Sequence, residues 1–179
     1  MIMIDETINR ITPLSLEWLE RAAARQLQLT KPPGSLGALE DIANRLAAIQ
    51  QTLRPAVSRR RIYVVAADHG VVAEGVSAYP REVTAQMVYN FLRGGAAINV
   101  LARQSGIEIR VVDAGVDADF DDAPGLIRAT IVRGTANFTR GPAMTRDEAV
   151  KSVEVGIDLA RTAAAEGMES LGIGEMGIG

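Results

Sequence analysis

The sequence predicts an α/β fold: a doubly wound, mostly parallel sheet with helices on both faces, preceded by an N-terminal helical segment. Short apolar runs rich in β-branched residues alternate along the chain with longer segments of helical periodicity, which is the order of strands and crossover helices. Residues 62–67 are apolar throughout instead of alternating, as expected of a strand covered on both faces of a parallel sheet.

Residues 1–55 are predicted to form the helical segment. Leucines and alanines between residues 14 and 28 indicate a first helix, which ends at the Lys31-Pro32-Pro33-Gly34 break. A second helix with one apolar stripe, expected to pack against another element, is indicated by residues at helical spacing: Leu36, Leu39, Ile42, Ala43, Leu46 and Ile49.

Residues 56–179 are predicted to form an incomplete α/β substrate-binding domain, so that the chain is one domain overall. After the strand at 62–67 we expect a helix over 83–104, strands at 107–112 and near 128–132, a helix from Thr145, and a buried strand at 168–173. Thr145 and Glu148 fit a capping box. Gly94 and Gly95 predict close packing or a bend in the long helix, because each glycine costs ~1 kcal/mol there.

The composition of the chain argues against several classes of function. Hydrophobic residues make up 47% and charged residues 23% of the 179 residues, which is typical of a soluble globular protein. A net charge of −3 argues against nucleic-acid binding, and the run Arg59-Arg60-Arg61 is predicted to be a solvated turn. There is no apolar run of about 20 residues and no leader-like start, so we expect no membrane contact and a cytoplasmic location.

Metal and thiol chemistry find little support in the sequence. The chain has no cysteine and a single histidine, His69, which excludes disulfides, a cysteine nucleophile and a multi-histidine metal site. The acidic stretch 117–121 imitates a calcium loop, but Asp122 stands at the glycine position and Arg128 at the glutamate position. We therefore predict no metal and no cofactor.

Polar residues beside a glycine follow each predicted strand, at residues 68–70, 113–117, 134–137 and 174–177. Since ligands of parallel sheets bind beyond the carboxyl ends of the strands, the four ends together indicate a ligand crevice. Asp68 and His69 are expected to shape the loop after the first strand. Asp113 weakly resembles the ribose-binding acid of phosphoribosyltransferases that use the pyrophosphate donor, without the second acid beside it.

The glycine-rich stretch 172–179 leaves alternatives open. Glycines directly after a strand usually let backbone N–H groups approach a phosphate at the start of the next helix. Gly172, Gly174 and Gly177 have the spacing of the dinucleotide fingerprint, so a dinucleotide-binding oxidoreductase module is one alternative. Glu175 would repel a pyrophosphate and suggests instead a contact with a hydroxyl or a cationic ring. Because no helix follows the loop, the domain is expected to be truncated.

Several motifs, taken in order, resemble one family. They are Lys31-Pro-Pro-Gly-Ser-Leu-Gly37 with Leu39-Glu40, Ala67-Asp-His-Gly-Val71, Glu74-Gly-Val-Ser-Ala-Tyr-Pro80 with Val83-Thr84, Gly141-Pro-Ala-Met144 and Gly174-Glu-Met-Gly177. Together they resemble the N-terminal half of the nicotinate-nucleotide:dimethylbenzimidazole phosphoribosyltransferase family. The resemblance implies a cytoplasmic, homodimeric pentosyltransferase of cobalamin synthesis, without a metal, that makes α-ribazole 5'-phosphate and nicotinate from nicotinate mononucleotide and 5,6-dimethylbenzimidazole.

The resemblance also implies site residues. Tyr79, Pro80, Gln86 and Met87 match the wall of the aromatic-base pocket; for Met87 the alternative is a core position at helical spacing. The nicotinate-nucleotide loop is matched by Glu175, Gly177 and Gly179. The family's general-base glutamate lies beyond Gly179, so no catalytic residue is assigned and the chain alone is expected to be inactive. A folded remnant without activity is the remaining alternative.

Overall fold

The computed structural model describes residues 2–179 as a succession of helices and strands. Their bounds are α1 (Ile2–Asn9), α2 (Leu16–Leu27), α3 (Ala38–Gln50), β1 (Arg60–Ala67), a 3-10 helix (Gly70–Glu74), α4 (Glu82–Leu92), α5 (Ala97–Ser105), β2 (Glu108–Gly115), β3 (Leu126–Arg128), α6 (Arg146–Ala165) and β4 (Ser170–Met176). The chain divides into two compact units, one of residues 6–57 and one of residues 2–5 and 58–179. Every described helix is too short or too polar to span a bilayer.

The smaller unit is built on the packing of α2 against α3, which buries Ala22, Ala47 and Ala48. The apolar stripe predicted for the second helix is present, but it is only partly covered by the described residues. Leu39 and Ile49 on α3 are exposed, so the expected packing of the whole stripe is not observed.

The Lys31-Pro-Pro-Gly loop is tied to the start of α3 by an ion pair. Lys31 Nζ donates to Glu40 Oε1 at 2.7 Å, and the same oxygen accepts from the backbone N–H of Leu36 at 3.2 Å. These hydrogen bonds, the one from Lys31 foremost, lower the pKa of the Glu40 carboxyl below its ordinary value. The first matched motif therefore has a structural role, which is to close this loop.

The larger unit contains a sheet of order β3-β2-β1-β4 in which every pair of neighbouring strands is parallel. On one face, Val64 and Val111 pack in a cluster with Val88 and Phe91 of α4. On the other face, Tyr63 and Val112 pack with Ala163 of α6. Helices therefore cover both faces, and the predicted doubly wound α/β fold is confirmed.

The long helix predicted over 83–104 is two helices, α4 and α5, separated at Gly94 and Gly95. Gly94 has a φ of +77°, in the left-handed region that favours glycine. Asn99 bridges the break, because its Oδ1 accepts from Ala96 N and its Nδ2 donates to Phe91 O. The two glycines end a helix instead of bending it.

The strand predicted near 128–132 is displaced. β3 covers only Leu126–Arg128, and the following residues are irregular. The Thr130 hydroxyl donates to Asp113 Oδ2 at 2.8 Å, which draws the chain across the carboxyl end of β2. Propensity placed the strand too late because this side-chain contact joins residues far apart in sequence.

The last strand extends further than predicted and is not buried. β4 pairs in register with β1 from Ser170 to Met176 and lies at the edge of the described sheet. Ile173 is 87% exposed and Leu171 is exposed as well. The prediction of a buried strand at 168–173 is wrong for residues 2–179, because β1 is the only described strand that pairs with β4.

Arg61 is not part of a solvated turn. β1 begins at Arg60, and the Arg61 side chain is 4% exposed. Its guanidinium donates to Glu108 Oε2 at 2.8 and 2.6 Å and lies 2.5 Å from Glu166 Oε2. Burial opposes the charge, but hydrogen bonds with Tyr63, Glu108 and Glu166 raise the pKa of Arg61 above its ordinary value. A buried guanidinium paired with two partly exposed carboxylates anchors the amino end of the sheet.

The start of α6 is as predicted. Thr145 Oγ1 accepts from the backbone N–H of Glu148 at 3.3 Å, and Thr145 N donates to Glu148 Oε2 at 2.7 Å. The second bond, together with one from the Thr145 hydroxyl, lowers the pKa of the Glu148 carboxyl. The capping box is thereby confirmed.

Candidate functional site

Three of the four polar segments that follow the predicted strands are joined by backbone hydrogen bonds. Asp68 N and Gly134 N both donate to Gly115 O, at 3.0 and 2.8 Å, and Thr135 N donates to Asp68 O at 3.0 Å. The segments after β1, after β2 and around residue 134 therefore meet at one edge of the sheet, as the ligand-crevice hypothesis requires.

Buried carboxylates hold these segments in place. Asp113 lies within β2, and its Oδ1 accepts from Gly115 N and Val116 N at 3.0 and 2.8 Å. Thr130 donates to the other oxygen, and Asp113 is buried, so both carboxylate oxygens are bound within the fold and are not presented to a ribose. Asp68 is also buried, and its Oδ2 accepts from Asp117 N at 2.8 Å. Both acids fix loop geometry.

The fourth segment, at the end of β4, joins the same edge through a pair of side chains. His69 Nε2 lies 3.0 Å from Glu175 Oε1. The Glu175 side chain is 61% exposed and the His69 side chain 31%. This contact places an exposed carboxylate at the same edge of the sheet, held on one of its two oxygens.

Residues 177–179, called the terminal loop below, are seated tightly against the end of β1. A Cβ added at Gly177 would lie 2.4 Å from both Ala67 O and His69 Nε2. Gly179 has a φ of +138°, and a Cβ there would lie 2.8 Å from the His69 Cβ. Both glycines are therefore required by contact, and for Gly179 also by backbone conformation.

Thr84, to which the sequence reading gave no role, holds the middle of the terminal loop. Ile178 N donates to the Thr84 hydroxyl at 3.2 Å, and both residues are buried. A buried hydroxyl requires a hydrogen-bond partner. A threonine on the buried side of α4 was therefore the sequence signal that could have indicated this contact. The first turn of α4 is thereby fixed beside the loop.

The glycines of the proposed dinucleotide fingerprint do not lie in a turn. Gly172 and Gly174 are inside β4, paired with Ile62 and Val64 of β1. The fingerprint needs its first glycines in the tight turn after the strand, so the spacing match is accidental. The sequence argument for a dinucleotide-binding module fails on this geometry.

The residues matched to the aromatic-base pocket lie at and before α4. Tyr79, Pro80 and Gln86 are exposed. Met87 is half-buried and packs against the cluster formed by β1, β2 and α4, with its Sδ 3.8 Å from Asn90 Nδ2. The structure therefore gives Met87 a core contact, while the other three are accessible to a ligand.

A cavity of about 640 Å³ lies between the 134–137 segment and the start of α6, lined by Val132, Gly134, Ala136, Pro142, Ala143, Met144, Thr145, Arg146 and Glu148. A smaller cavity of about 130 Å³ shares Gly134 and Met144 with it and is lined also by Asp68 and His69. The matched Gly141-Pro-Ala-Met144 motif thus contributes to this crevice. None of the residues matched to the aromatic-base pocket lines it.

The chain is similar to known phosphoribosyltransferases in sequence. A family model described as Phosphoribosyltransferase matches residues 11–179. A nicotinate-nucleotide–dimethylbenzimidazole phosphoribosyltransferase of Geobacter sulfurreducens is 56% identical over 179 residues, which are 100% of this chain and 51% of that relative. The enzyme of the same name from Geotalea uraniireducens is 54% identical over the same shares of the two chains. The chain therefore spans about half the length of the curated relatives it matches.

Solved structures agree with this similarity. The crystal structure of CobT from Thermus thermophilus superimposes with a TM-score of 0.87 at 53% identity, covering 91% of this chain and 49% of that one. A nicotinate-nucleotide–dimethylbenzimidazole phosphoribosyltransferase structure from the same organism gives a TM-score of 0.88 at 52% identity, covering 93% and 50%. The matched residues 11–179 include all four strand ends described above.

Proposed function

The chain belongs to the phosphoribosyltransferase family, and on this premise we propose that it takes part in phosphoribosyl transfer from nicotinate mononucleotide to 5,6-dimethylbenzimidazole. The products are α-ribazole 5'-phosphate and nicotinate. The observation that carries the proposal is the Glu175 carboxylate, held by His69 beside the terminal loop at the carboxyl edge of a parallel sheet.

The chemistry suits a site of this kind. A benzimidazole nitrogen attacks the anomeric carbon of the ribose, and the bond from that carbon to the pyridinium nitrogen breaks, with its electron pair neutralising the nicotinate ring. Attack from the face opposite the leaving ring gives inversion. The benzimidazole proton passes to a general base, a step that typically contributes about 10²–10⁴-fold. The leaving group carries its own positive charge, so the site must mainly orient the two reactants.

Glu175 supplies a negative charge where the donor carries a positive one. Its Oε1 is bonded to His69, which leaves Oε2 to accept from a ribose hydroxyl or to lie beside the pyridinium ring. Thr84 fixes the terminal loop through Ile178 N, and this supports a preformed nucleotide site. Tyr79, Pro80 and Gln86 are accessible beside the same helix start. Tyr79 suits a flat apolar slot for the base, and the Gln86 amide can supply a polar contact at its wall.

The test is a transfer assay on the polypeptide encoded by the whole reading frame that contains this chain. Mass spectrometry should detect α-ribazole 5'-phosphate from nicotinate mononucleotide and 5,6-dimethylbenzimidazole. Glu175→Gln should lower kcat/KM about ten- to a hundredfold, because a hydrogen bond to a charged group is worth about 1.5–3 kcal/mol. Glu17→Gln, an exposed carboxylate on α2, is the matched control.

Two outcomes would contradict the proposal: no product from the wild-type protein, or equal rates for Glu175→Gln and Glu17→Gln. The family's general-base glutamate has no counterpart among these residues, so a polypeptide of residues 1–179 alone is expected to form no product. Calorimetric titration separates the oxidoreductase alternative, which requires NAD to bind more tightly than nicotinate mononucleotide.

We also propose that the protein acts as a homodimer in the cytoplasm. The exposed apolar side chains on α3, among them Leu39 and Ile49, support association, while the location rests on the sequence alone. Light scattering that gave a monomer mass would contradict the dimer, and cell fractionation would test the location.

A further inference from the structure

We propose that His69 is a positioning residue, which orients the Glu175 carboxylate and the terminal loop together for the nucleotide. This inference rests on the proposed function and deepens it. It assigns His69 no contact with substrate: its effect passes through Glu175.

A hydrogen bond joins His69 to Glu175. His69 Nε2 and Glu175 Oε1 are 3.0 Å apart, so an imidazole N–H there donates to the carboxylate. A glutamate side chain that is 61% exposed would otherwise move among several rotamers. One bond to a less exposed ring restricts this movement and leaves the second carboxylate oxygen directed to a ligand.

The backbone that carries His69 is fixed by hydrogen bonds and close packing. Gly70 N donates to Thr135 Oγ1 at 3.2 Å, and His69 O accepts from Val72 N at 3.2 Å. A Cβ added at Gly70 would lie 2.5 Å from Thr135 O, so the backbone packs directly on the neighbouring segment. The imidazole is therefore carried by a part of the chain with little freedom to shift.

The His69–Glu175 pair packs against the terminal loop. A Cβ added at Gly177 would lie 2.4 Å from His69 Nε2 and 2.3 Å from Glu175 Oε1. The imidazole and the carboxylate thus lie directly over the Gly177 α-carbon. Moving the ring releases the carboxylate and removes a packing contact of the loop, so His69 supports both.

The experiment compares His69→Ala with His69→Gln in the polypeptide encoded by the whole reading frame. Alanine removes the donor, whereas the glutamine amide can place an N–H near the position of Nε2. We expect His69→Ala to raise KM for nicotinate mononucleotide about tenfold, with little change in KM for the base, and His69→Gln to recover most of that loss.

A double-mutant cycle tests whether His69 acts through Glu175. If it does, adding His69→Ala to Glu175→Gln causes little further loss. Additive losses, or equal losses in His69→Ala and His69→Gln with a matching fall in Tm, would mean a merely structural role and overturn the inference.

A readout independent of activity separates this inference from the proposed function. If the wild-type protein forms no product, the proposed function has failed, and the ring resonances of His69 decide the inference instead. Their assignment follows from the His69→Gln spectrum. A shift of these resonances in Glu175→Gln, absent in Glu17→Gln, supports the inference, and unchanged resonances overturn it.

Discussion

The packing around Gly177 leaves no room for a single methyl group. The nearest atoms to a Cβ there would be Glu175 Oε1 at 2.3 Å, and Ala67 O and His69 Nε2 at 2.4 Å. One of these is a backbone carbonyl of β1, which cannot yield without disturbing the sheet. Contacts with Ala67, His69 and Glu175 therefore leave room only for glycine at this position.

Gly177→Ala should therefore destabilise the protein by about 1–3 kcal/mol, the usual cost of overpacking, and weaken nucleotide binding. Gly174→Ala is the matched control, because a Cβ at Gly174 meets nothing within 4 Å. It should change stability by less than about 0.5 kcal/mol. Denaturant unfolding and calorimetric titration measure both effects, and equal behaviour of the two variants would show that the loop is not seated as described.

At this scale the sequence allowed individual residues to be singled out, but not their partners. Glu175 stood out because a carboxylate inside a glycine-rich stretch is unsuited to a phosphate, and His69 because it is the single histidine. Their hydrogen bond joins residues 106 positions apart, and no local pattern encodes such a contact. The burial of Arg61 was missed for the same reason, since Glu108 and Glu166 come to it only in the folded chain.

At the scale of single elements, patterns with a local cause were predicted well and patterns that depend on pairing were not. The capping box at Thr145 is a local arrangement and was confirmed. The extent of β4 depends on its pairing with β1, which carries the strand through Gly172 and Gly174 despite their weak strand propensity. Gly174 was therefore predicted to lie in the loop after the strand and is part of the strand in the structure.

The loop between α2 and α3 provides an element-scale prediction about pH. Folding lowers the pKa of Glu40 below its ordinary value of 4.5, so the ionised carboxylate stabilises the fold. This contribution is fully present above that ordinary value and is lost as the pH falls through the lowered value. Glu40→Gln should therefore be less stable than the wild type at pH 7, with the difference shrinking at acidic pH.

Trp18 is the single tryptophan and lies in α2, so its fluorescence during denaturant unfolding reports on the smaller unit, residues 6–57. Glu20→Gln, which removes an exposed carboxylate from α2, is the control. Its stability difference from the wild type should not shrink as the pH falls. A stability difference between wild type and Glu40→Gln that stayed constant down to about pH 2 would rule out the ionised Glu40 as its source.

For the whole molecule, the alternation of apolar runs and amphipathic helices was sufficient to predict the parallel α/β sheet. The order β3-β2-β1-β4 brings the four strand ends to one edge, which is why polar residues scattered between positions 68 and 177 become neighbours. What the pattern could not supply was the degree of burial. β4 lies at the edge of the described sheet with Ile173 exposed, and burial depends on neighbours that apolar periodicity does not reveal.

We propose that the Glu175 side chain and the terminal loop together receive the nucleotide. The most direct measurement is a crystal structure of the polypeptide from the whole reading frame with nicotinate mononucleotide bound. We expect the nucleotide to lie against residues 177–179, with a ribose hydroxyl or the pyridinium ring about 3 Å from a Glu175 oxygen. Nucleotide bound only in the cavity lined by Pro142, Met144 and Arg146, away from Glu175, would contradict this assignment of the nucleotide site.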